Sequence, residues 1–320
     1  MQFATAHLAG QADRLWLRDG EEAVDLGAAL SRPLRDLEDW LAVTDRPADL
    51  TAAVAGAPRV PIGALSFAPP VRRPSKILGV AFNNRELMKS AHHDPGVPNF
   101  FLKPPSCLIS HGGAIEIDPA WGPTIPEPEI CAIIGKRARR ISPDQALDHV
   151  FGWTIINDVT SHGLKFGMDS IAVTYSRELA HPEFYKWRQL HGENDTDAYY
   201  VYHTRSKGTD TFGPVGPWVT TRDEVADPNA LDVVADIDGE VFARDRTSNY
   251  RFTVQTCIAA ASRFFTLEPG DMMCFGTTGK GEGRFPNGHK SLLLNRVTGR
   301  VGISVQGLGR LENDVVHVES

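Results

Sequence analysis

Two glutamates stand directly before an apolar run in the segment PEPEICAIIGK, residues 126–136. The run IleCysAlaIleIle that follows Glu129 is short and unbroken, which is typical of a buried strand. Residues two apart in a strand face the same side, so Glu127 and Glu129 would project together. Pro128 cannot donate to a sheet ladder, and the pair therefore belongs at a strand start, an edge or a bulge.

The two carboxylates have two interpretations. Ionised carboxylates a few ångströms apart repel each other in a partly buried place, unless they share a proton or bind a cation. A hard divalent ion such as Mg²⁺ or Mn²⁺ prefers oxygen ligands and would remove the conflict. The alternative is a solvated strand edge before a core strand. Because Glu-x-Glu is a common pattern, the spacing alone leaves both interpretations open.

Strand signals dominate the chain after residue 74. They occur in KILGVAF, FGWTIINDVT, LDVVADIDGEVFARD (with a hairpin turn at Asp238-Gly239), DMMCFG and RVGISVQGLGRLEN. Two predicted helices interrupt them, namely SPDQALDHVF, capped by Ser142, and a segment from about Ser248 to Leu267. Strands outnumber helices without a regular βαβ rhythm, so we expect an α+β, β-rich fold rather than a doubly wound sheet.

The first 70 residues are predicted to form a small α+β unit. RLWLRDGEEAVDL alternates on both sides of Asp19-Gly20, which predicts a hairpin. PLRDLEDWLAV then carries its leucines and Trp40 at helical spacing. Residues 67–76 contain three prolines and are predicted to be a linker. We therefore predict a small N-terminal domain over residues 1–70 and a larger domain over residues 71–320.

The composition limits the class of protein. A formal net charge of −7 argues against general nucleic-acid binding, which needs a basic face to replace counterions. No apolar run approaches the roughly 20 residues that span a bilayer, and the opening segment lacks the features of a signal peptide. The four cysteines show no CxxC pairing, so neither a zinc knuckle nor a disulfide framework is indicated. We expect a cytoplasmic protein with no membrane or nucleic-acid partner.

Three further segments carry residues that could act with the glutamates. The run FGWTIIND ends in Asn157-Asp158, and Asp158 would complete a set of three carboxylates; the alternative is that Asn157-Asp158 opens a turn. Lys207 lies in a predicted irregular loop, where it could pair with a substrate carboxylate or stabilise an enolate, although surface lysines are far more common. The glycine-rich loop at residues 272–288 is suited to presenting backbone N–H groups to an anion.

Several well-known motifs are absent. In Gly276-Thr-Thr-Gly-Lys, two residues separate the glycines where a P-loop needs four. No Rossmann GxGxxG follows an early strand, and neither GxSxG nor HExxH occurs. These absences weaken the nucleotide-binding, α/β-hydrolase and zincin interpretations.

Seven segments, taken in order over roughly residues 74–316, resemble the fumarylacetoacetate hydrolase family. They are KILGVAFNNRE, NFFLKP, EPEICAIIGK, IINDVTS, SKGTDTFGPVGPWVTTRDEVADPNAL, LEPGDMMCFGTTGKG and VQGLGRLEN. Each segment alone is weak evidence for the family, whereas seven segments in this order are specific evidence for it. The resemblance implies a mixed β-sandwich roll that usually forms a homodimer, with a small N-terminal domain in many members.

The resemblance also implies roles for individual residues. The metal ligands, carried over by position, are Glu127, Glu129 and Asp158, and the expected ion is Mg²⁺ or Mn²⁺, with Ca²⁺ as a further option. Lys207 corresponds to the family's catalytic lysine, and Thr277 to the threonine of its Gly-Thr loop, which would grip the substrate carboxylate. Asn83 and Lys103 lie in segments similar to the family's Asn-Tyr-Arg and Phe-x-Lys stretches and are candidate substrate contacts.

The chain departs from the family pattern near the expected substrate. His162 stands where members often have arginine and is a candidate catalytic residue. Lys165 stands where some members have glutamine and is a candidate substrate contact. Residues 170–200 exceed what short members need, which indicates an extra lid or dimer contact and a larger or more specialised substrate.

The family pattern does not identify a water-activating base in this chain. Some members use a His–Glu dyad on a lid, which would fall at Leu87 and Ser90, so this dyad is absent. His93, together with the neighbouring His92, could replace it as a catalytic base on a mobile lid. The alternative is that this His-His pair belongs to an exposed loop.

The resemblance implies chemistry on small 2-oxo acids. We expect a metal-dependent hydrolase that cleaves a C–C bond of an acylpyruvate or 1,3-diketo acid through a metal-stabilised pyruvate enolate, in the breakdown of aromatic or sugar acids. A 2-oxo acid hydratase, decarboxylase or keto–enol isomerase is the alternative, because these reactions demand less of a positioned base. A binding protein without chemistry is a third hypothesis, against which the complete acid set argues.

Overall fold

The computed structural model describes residues 1–47, 49–91, 93–176 and 197–319. The first strands in chain order are β1 (Gln2–His7), β2 (Arg14–Asp19), β3 (Glu22–Asp25), β4 (Arg59–Pro61), β5 (Ser66–Phe67), β6 (Ile77–Ala81), β7 (Asn99–Lys103), β8 (Leu108–Ser110), β9 (Ala114–Ile117), β10 (Thr124–Ile125) and β11 (Pro128–Ile134). The later strands are β12 (Val150–Asn157), β13 (Thr160–Ser161), β14 (Ser170–Thr174), β15 (Asp197–Val201), β16 (Gly213–Val215), β17 (Val219–Thr221), β18 (Asp232–Ile237), β19 (Glu240–Arg246), β20 (Met272–Cys274), β21 (Gly299–Val305) and β22 (Gly309–His317).

The helices are short. The α-helices of the described residues are α1 (Leu26–Leu30), α2 (Leu37–Ala42), α3 (Leu50–Val54), α4 (Arg85–Met88), α5 (His162–Gly167), α6 (Thr204–Gly208) and α7 (Val254–Phe264). Single 3₁₀ segments lie at Ile62–Ala64, Pro105–Cys107, Pro119–Trp121, Pro143–His149, Arg222–Glu224, Thr247–Asn249 and Gly288–Ser291. No helix in these parts of the chain is long and apolar enough to cross a membrane.

Two mixed sheets carry most of the described strands. The larger has the order β4-β3-β2-β1-β17-β12-β11-β20-β6-β7, with β5, β8 and β16 attached at its side. The smaller has the order β19-β18-β21-β22-β9. Most neighbours are antiparallel, whereas β20 runs parallel to β6 and β22 parallel to β9. The fold is therefore α+β and β-rich, as predicted.

The apolar run after Glu129 is buried on both faces. Ile130 and Ala132 join a core cluster that also contains residues of β12, of α7 and of the smaller sheet. Cys131 and Ile133 face a second cluster that includes residues of the N-terminal strands and helices. Because successive side chains of β11 pack into two different cores, the position of this strand in the molecule is tightly fixed.

The predicted hairpins at Asp19-Gly20 and Asp238-Gly239 are confirmed by the pairing of β2 with β3 and of β18 with β19. The N-terminal strands do not form a separate sheet, because β1 pairs with β17 and so continues the large sheet. The division into domains at residue 70 stays a prediction.

Both helices predicted after residue 74 differ from the structure. The first is a 3₁₀ helix over Pro143–His149, because the His149 carbonyl accepts the N–H groups of Gly135 and Lys136 and β12 starts at the next residue. The second is shorter than predicted and covers only Val254–Phe264. The Arg251 and Phe252 N–H groups donate to the carbonyl and side-chain oxygens of Asn83, which keeps this stretch out of the helix.

Gly152 allows β17 to approach β12 closely. A Cβ at this position would collide with the backbone carbonyl of Thr220. We expect Gly152→Ala to lower the free energy of unfolding by about 2 kcal/mol, since the two strands would have to separate. Gly167→Ala is the control, because no atom lies within 4 Å of its added Cβ, and it should change stability by less than about 0.5 kcal/mol. Urea unfolding checks both, and equal losses in the two variants would contradict the account.

Candidate metal centre

The pairing of β11 with β12 brings the predicted acids together. Pro128 lies opposite Asn157 at the end of this ladder. The Asp158 N–H donates to the Glu127 carbonyl at 2.9 Å, and the Glu127 N–H donates to Asn157 Oδ1 at 2.8 Å. As a result, the carboxylates of Glu127, Glu129 and Asp158 offer oxygen atoms that all lie within 4.8 Å of one another.

Glu129 is the acid with the least compensation. Its side chain is buried, and Oε2 accepts the Gly276 N–H at 2.7 Å. Burial raises the pKa of Glu129 well above its ordinary value, and the negative charges of Asp158 and Glu127 raise it further. Among the described residues, no ammonium or guanidinium group forms an ion pair with it. Glu129 therefore needs either a proton or a cation nearby.

Lys207 lies between the other two acids. It stands on α6, and Nζ is 2.5 Å from both Glu127 Oε2 and Asp158 Oδ2. Nζ also donates to Thr160 Oγ1 at 2.7 Å. Burial opposes the charged lysine, but the two carboxylates outweigh it and raise the pKa of Lys207. Burial likewise favours the neutral form of Glu127, and Lys207 reverses this and lowers the pKa of Glu127.

Lys103 approaches Asp158 from the other side. Its Nζ is 2.7 Å from Asp158 Oδ1, and the side chain has no exposed surface. It also donates to the Phe212 carbonyl at 3.1 Å and to the Lys207 carbonyl. Lys103 does not line the cavity in front of the acids. Its position is suited to holding Asp158 and the backbone of α6, and its role as a substrate contact stays a prediction.

The three acids fit a divalent cation. Together with Lys103 and Lys207 they leave one net negative charge in a buried place, and that charge is concentrated on the uncompensated Glu129. All three potential ligand atoms are carboxylate oxygens, which hard ions such as Mg²⁺ and Mn²⁺ prefer. The donor chemistry and the charge deficit therefore both suit such an ion.

The acids open into a cavity of about 260 Å³. Thr277 lines it, and its buried Oγ1 has no hydrogen-bond partner among the residues that the structure describes, so this hydroxyl is available to a ligand. Asn83 also lines it, but its side chain is occupied: Nδ2 donates to the Phe275 and Phe252 carbonyls, and Oδ1 accepts from Phe252. Asn83 thus fixes the backbone around the cavity, and its side chain has little left to offer a substrate.

The remaining predicted residues divide between two cavities. His162 and Lys165, on α5, line the cavity of the acids. Leu87 and Ser90, the positions of the missing dyad, line it too. His93 lines a neighbouring cavity that shares Ala81, Phe82 and Ser90 with this one. His92 lies outside the described residues.

The predicted insertion is described only at its two ends. Strand β14 pairs with β15 over Ser170–Thr174 and Asp197–Val201, and the two form a separate two-stranded sheet. Residues 177–196 lie outside the described part of the chain.

Two histidines of the site were not found by sequence reasoning. His203 lines the cavity, and burial together with the charges of Lys165 and Lys207 lowers its pKa to about 4. Its backbone has a φ of 54°, uncommon for a residue with a side chain. His289 is buried with Nε2 3.9 Å from Glu127 Oε1, and within the described part of the chain neither ring nitrogen has a hydrogen-bond partner. The four-residue spacing from Lys207 could have indicated His203, whereas no local pattern indicates His289.

Glu129→Gln should stabilise the metal-free protein and abolish its response to metal. A raised folded-state pKa means that the stabilising contribution is present below the unfolded pKa and is lost as pH rises through the folded pKa. The gain from Gln should therefore be small at about pH 5 and reach about 1 kcal/mol or more at about pH 8. Thermal unfolding with a chelator and with Mn²⁺ checks this. A wild-type melting temperature that Mn²⁺ leaves unchanged, with a variant no more stable than wild type, would refute the metal site.

Lys207→Met should destabilise the metal-free protein by about 3 kcal/mol, because it removes the cation between two largely buried carboxylates. Saturating Mn²⁺ should restore part of this loss, since the ion supplies positive charge to the same oxygens. Lys280→Met is the control, because Lys280 is exposed and should change stability by less than about 0.5 kcal/mol. Urea unfolding with and without Mn²⁺ gives both values. Equal effects of the two substitutions would show that Lys207 does not compensate the acids.

Comparisons with known proteins address the fold and the family. The family profile described as fumarylacetoacetate (FAA) hydrolase C-terminal matches residues 76–316 of this chain. An uncharacterised protein of Pyrococcus horikoshii is 31% identical over 249 residues, which cover 78% of this chain and 91% of that protein.

Two solved structures share the architecture over nearly the whole chain. Maleylpyruvate hydrolase from Sphingobium sp. SYK-6, in complex with manganese(II) ion and pyruvate, aligns with a TM-score of 0.72 at 25% identity and covers 100% of both chains. The 5-carboxymethyl-2-hydroxymuconate delta-isomerase from Mycobacterium smegmatis aligns with a TM-score of 0.64 at 22% identity and covers 99% of this chain and 100% of that chain. Together with the profile match over most of the sequence, these findings show that the chain belongs to the fumarylacetoacetate hydrolase family.

Proposed function

We propose that the protein is a divalent-metal-dependent hydrolase that cleaves a carbon–carbon bond of an acylpyruvate or another 1,3-diketo acid. The observation that carries the proposal is the largely buried acid set Glu127, Glu129 and Asp158, which retains a net negative charge at the wall of the cavity. Mg²⁺ or Mn²⁺ is the proposed ion. The manganese and pyruvate bound in the related maleylpyruvate hydrolase support this choice of ion and of substrate class.

The side chains around the acids suit a 2-oxo acid. A divalent ion held by the three carboxylates would supply Lewis acidity toward the oxygens of the 2-oxo acid. The free Thr277 hydroxyl can donate to the substrate carboxylate. Lys207 keeps its positive charge because its pKa is raised, so it can offset the negative charge that develops on the departing pyruvate oxygen. Phe101, 4.5 Å from Lys207 Nζ to its ring centre, shields this ammonium from water.

Hydrolysis also needs a group that accepts a proton from water. Burial lowers the pKa of His162, which lines the cavity, so its imidazole is neutral at physiological pH and able to accept a proton. His203 is the other imidazole among the described residues that line this cavity. We propose that one of these two histidines takes the role of the absent lid dyad. His93 remains a weaker candidate, because it faces the neighbouring cavity.

A hydratase, decarboxylase or keto–enol isomerase is the second candidate. The observation that favours it is the pair Leu87 and Ser90, which place an apolar side chain and a hydroxyl where a water-activating dyad would stand. The architecture is shared with an isomerase as well as a hydrolase. We also propose that the protein is a cytoplasmic homodimer, for which the exposed apolar side chains of Phe166 and Met168 offer a subunit contact.

A substrate screen with Mn²⁺ should detect pyruvate release from an acylpyruvate such as fumarylpyruvate. Asp158→Asn should lower kcat/KM by about 100-fold or more, because it removes a charged ligand from the metal and leaves Lys103 and Lys207 without their shared partner. Pyruvate is measured with a coupled dehydrogenase assay.

Asp148→Asn provides the matched control, because this acid is exposed and its one ion pair with a described residue is with Arg222 on the surface. Its kcat/KM should stay within about twofold of wild type. Turnover of oxaloacetate with no cleavage of any acylpyruvate would favour the decarboxylase. Unchanged acylpyruvate cleavage in Asp158→Asn would overturn the metal-dependent mechanism.

A further inference from the structure

The loop of residues 276–279, which carries Thr277, is held from outside the loop. Thr277 Oγ1 has no hydrogen-bond partner in the described part of the chain, so its own side chain does not fix the loop. Instead, the Thr277 carbonyl accepts from Asn84 Nδ2 at 3.2 Å, and the Gly279 N–H donates to Asp245 Oδ2 at 2.7 Å. The place of the Thr277 hydroxyl therefore depends on two residues that are distant in the sequence.

Asp245 is a buried carboxylate on β19 of the smaller sheet, with 5% of its surface exposed. Its Oδ2 accepts from Asn84 Nδ2 at 3.0 Å as well as from Gly279, and its Oδ1 accepts from the Arg246 N–H at 2.8 Å and from Asn249 Nδ2. It forms no ion pair with a residue that the structure describes. A buried carboxylate without a cation is costly unless donors satisfy it, and here four donors do so. Both oxygens are thus committed, and Oδ2 is committed to the loop and to Asn84.

Asn84 joins the loop to helix α4. Its side chain is 1% exposed, and Nδ2 is shared between Asp245 Oδ2 and the Thr277 carbonyl. Its Oδ1 accepts the Glu86 N–H at 2.9 Å and so caps the start of α4, which carries Leu87 at the wall of the cavity. One amide group therefore connects the smaller sheet, the Thr277 loop and α4.

The contact between the loop and Asn84 leaves no room for a side chain at residue 279. A Cβ on Gly279 would collide with Asn84 Oδ1 and would lie 2.8 Å from Glu86 Cβ. Any larger residue at this position would displace the Asn84 amide from the Thr277 carbonyl. The glycine thus serves a close approach, and substituting it changes the same contact from the opposite side.

The chain that leaves the loop also lies on β19. Gly281 forms an isolated antiparallel bridge with Ala243, and Glu282 pairs with Arg244 at 2.7 Å. The Arg244–Glu282 pair is exposed and contributes little to stability. The buried contact at Asp245 is therefore better suited to set how the loop sits on the sheet.

We infer that Asp245, acting through Asn84 and Gly279, is a positioning residue that sets where Thr277 presents its hydroxyl to a bound 2-oxo acid. The inference rests on the proposed function for the identity of the ligand. A hydrogen bond weakens steeply as its distance and angle depart from their preferred values. A loop that loses its anchor at Asp245 would therefore lose much of the contact between Thr277 and the ligand.

The acids are held without Asp245. They are fixed by the ladder of β11 and β12, and the start of the loop is tied to them by the Gly276 N–H, which donates to Glu129 Oε2 at 2.7 Å. Asp245 should therefore affect the affinity for a 2-oxo acid and not the affinity for the metal ion. A general loss of structure would affect both.

Titration calorimetry on the full chain measures the affinity for Mn²⁺ and then the affinity of the Mn²⁺-loaded protein for pyruvate. Asp245→Ala and Gly279→Ala should each weaken pyruvate binding by about 10-fold and change Mn²⁺ binding by less than about twofold. Asp236→Ala is the matched control, because Asp236 is also 5% exposed but pairs with Arg310 away from the cavity. It should leave both affinities unchanged.

A double-mutant cycle with Thr277→Val tests whether Asp245 acts through the Thr277 hydroxyl. Thr277→Val alone should weaken pyruvate binding by about 10-fold. Adding Asp245→Ala to Thr277→Val should weaken it by less than a further twofold or so, because the hydroxyl that Asp245 positions is already gone. A purely structural role of Asp245 would instead multiply the two effects.

Three results would overturn the inference: unchanged pyruvate affinity in both Asp245→Ala and Gly279→Ala, an equal loss of Mn²⁺ affinity, or multiplied effects in the double-mutant cycle. Failure of the proposed function has a different signature. In that case no acylpyruvate would be cleaved, while pyruvate would still bind and its affinity would still depend on Asp245. Wild type that binds no pyruvate would refute both the inference and the 2-oxo acid site.

Discussion

The hydrogen bonds between the end of β12 and the start of β11 impose the arrangement on which the candidate site depends. The Asp158 N–H reaches the Glu127 carbonyl, and the Asn157 side chain reaches the Glu127 N–H. Two buried cores hold β11 from both faces, so the acids cannot relieve their repulsion by moving apart. The compensation therefore comes from other parts of the chain: helix α6 and strand β7 supply lysines, and the loop after β20 supplies a backbone N–H to Glu129, which still needs a proton or a cation nearby.

Local sequence predicted the strands well, because short apolar runs and Asp-Gly turns report directly on burial and chain reversal. It did not predict which strands are neighbours, since pairing between β1 and β17 joins residues more than 200 positions apart. The predicted ends of the helices were wrong where contacts with distant residues determine where a helix begins or ends. Asn83 accepts hydrogen bonds from two backbone N–H groups just before α7, which keeps these residues out of the helix. The sequence of the helix itself does not indicate these hydrogen bonds.

The candidate site was predictable in part for similar reasons. The acids, Lys207 and Thr277 stand in segments whose order identifies the family, and the structure places them around one cavity. A sequence motif does not give the direction of a side chain. Lys103, at the end of β7, points to Asp158 and does not line the cavity. His203 lies four residues before Lys207 and takes its place through a left-handed backbone conformation, whereas His289 reaches the acids from a distant loop that no local pattern indicates.

The continuation of the large sheet through β1 has a consequence for the strands that carry the acid cluster. β17 uses one edge to pair with β12, the strand that ends in Asn157, and its other edge to pair with β1. A chain shortened to residues 71–320 would leave the second edge without a partner, and unpaired edges recruit strands from other molecules. The N-terminal residues thus act as a cover that keeps the sheet of the acid cluster from assembling with copies of itself.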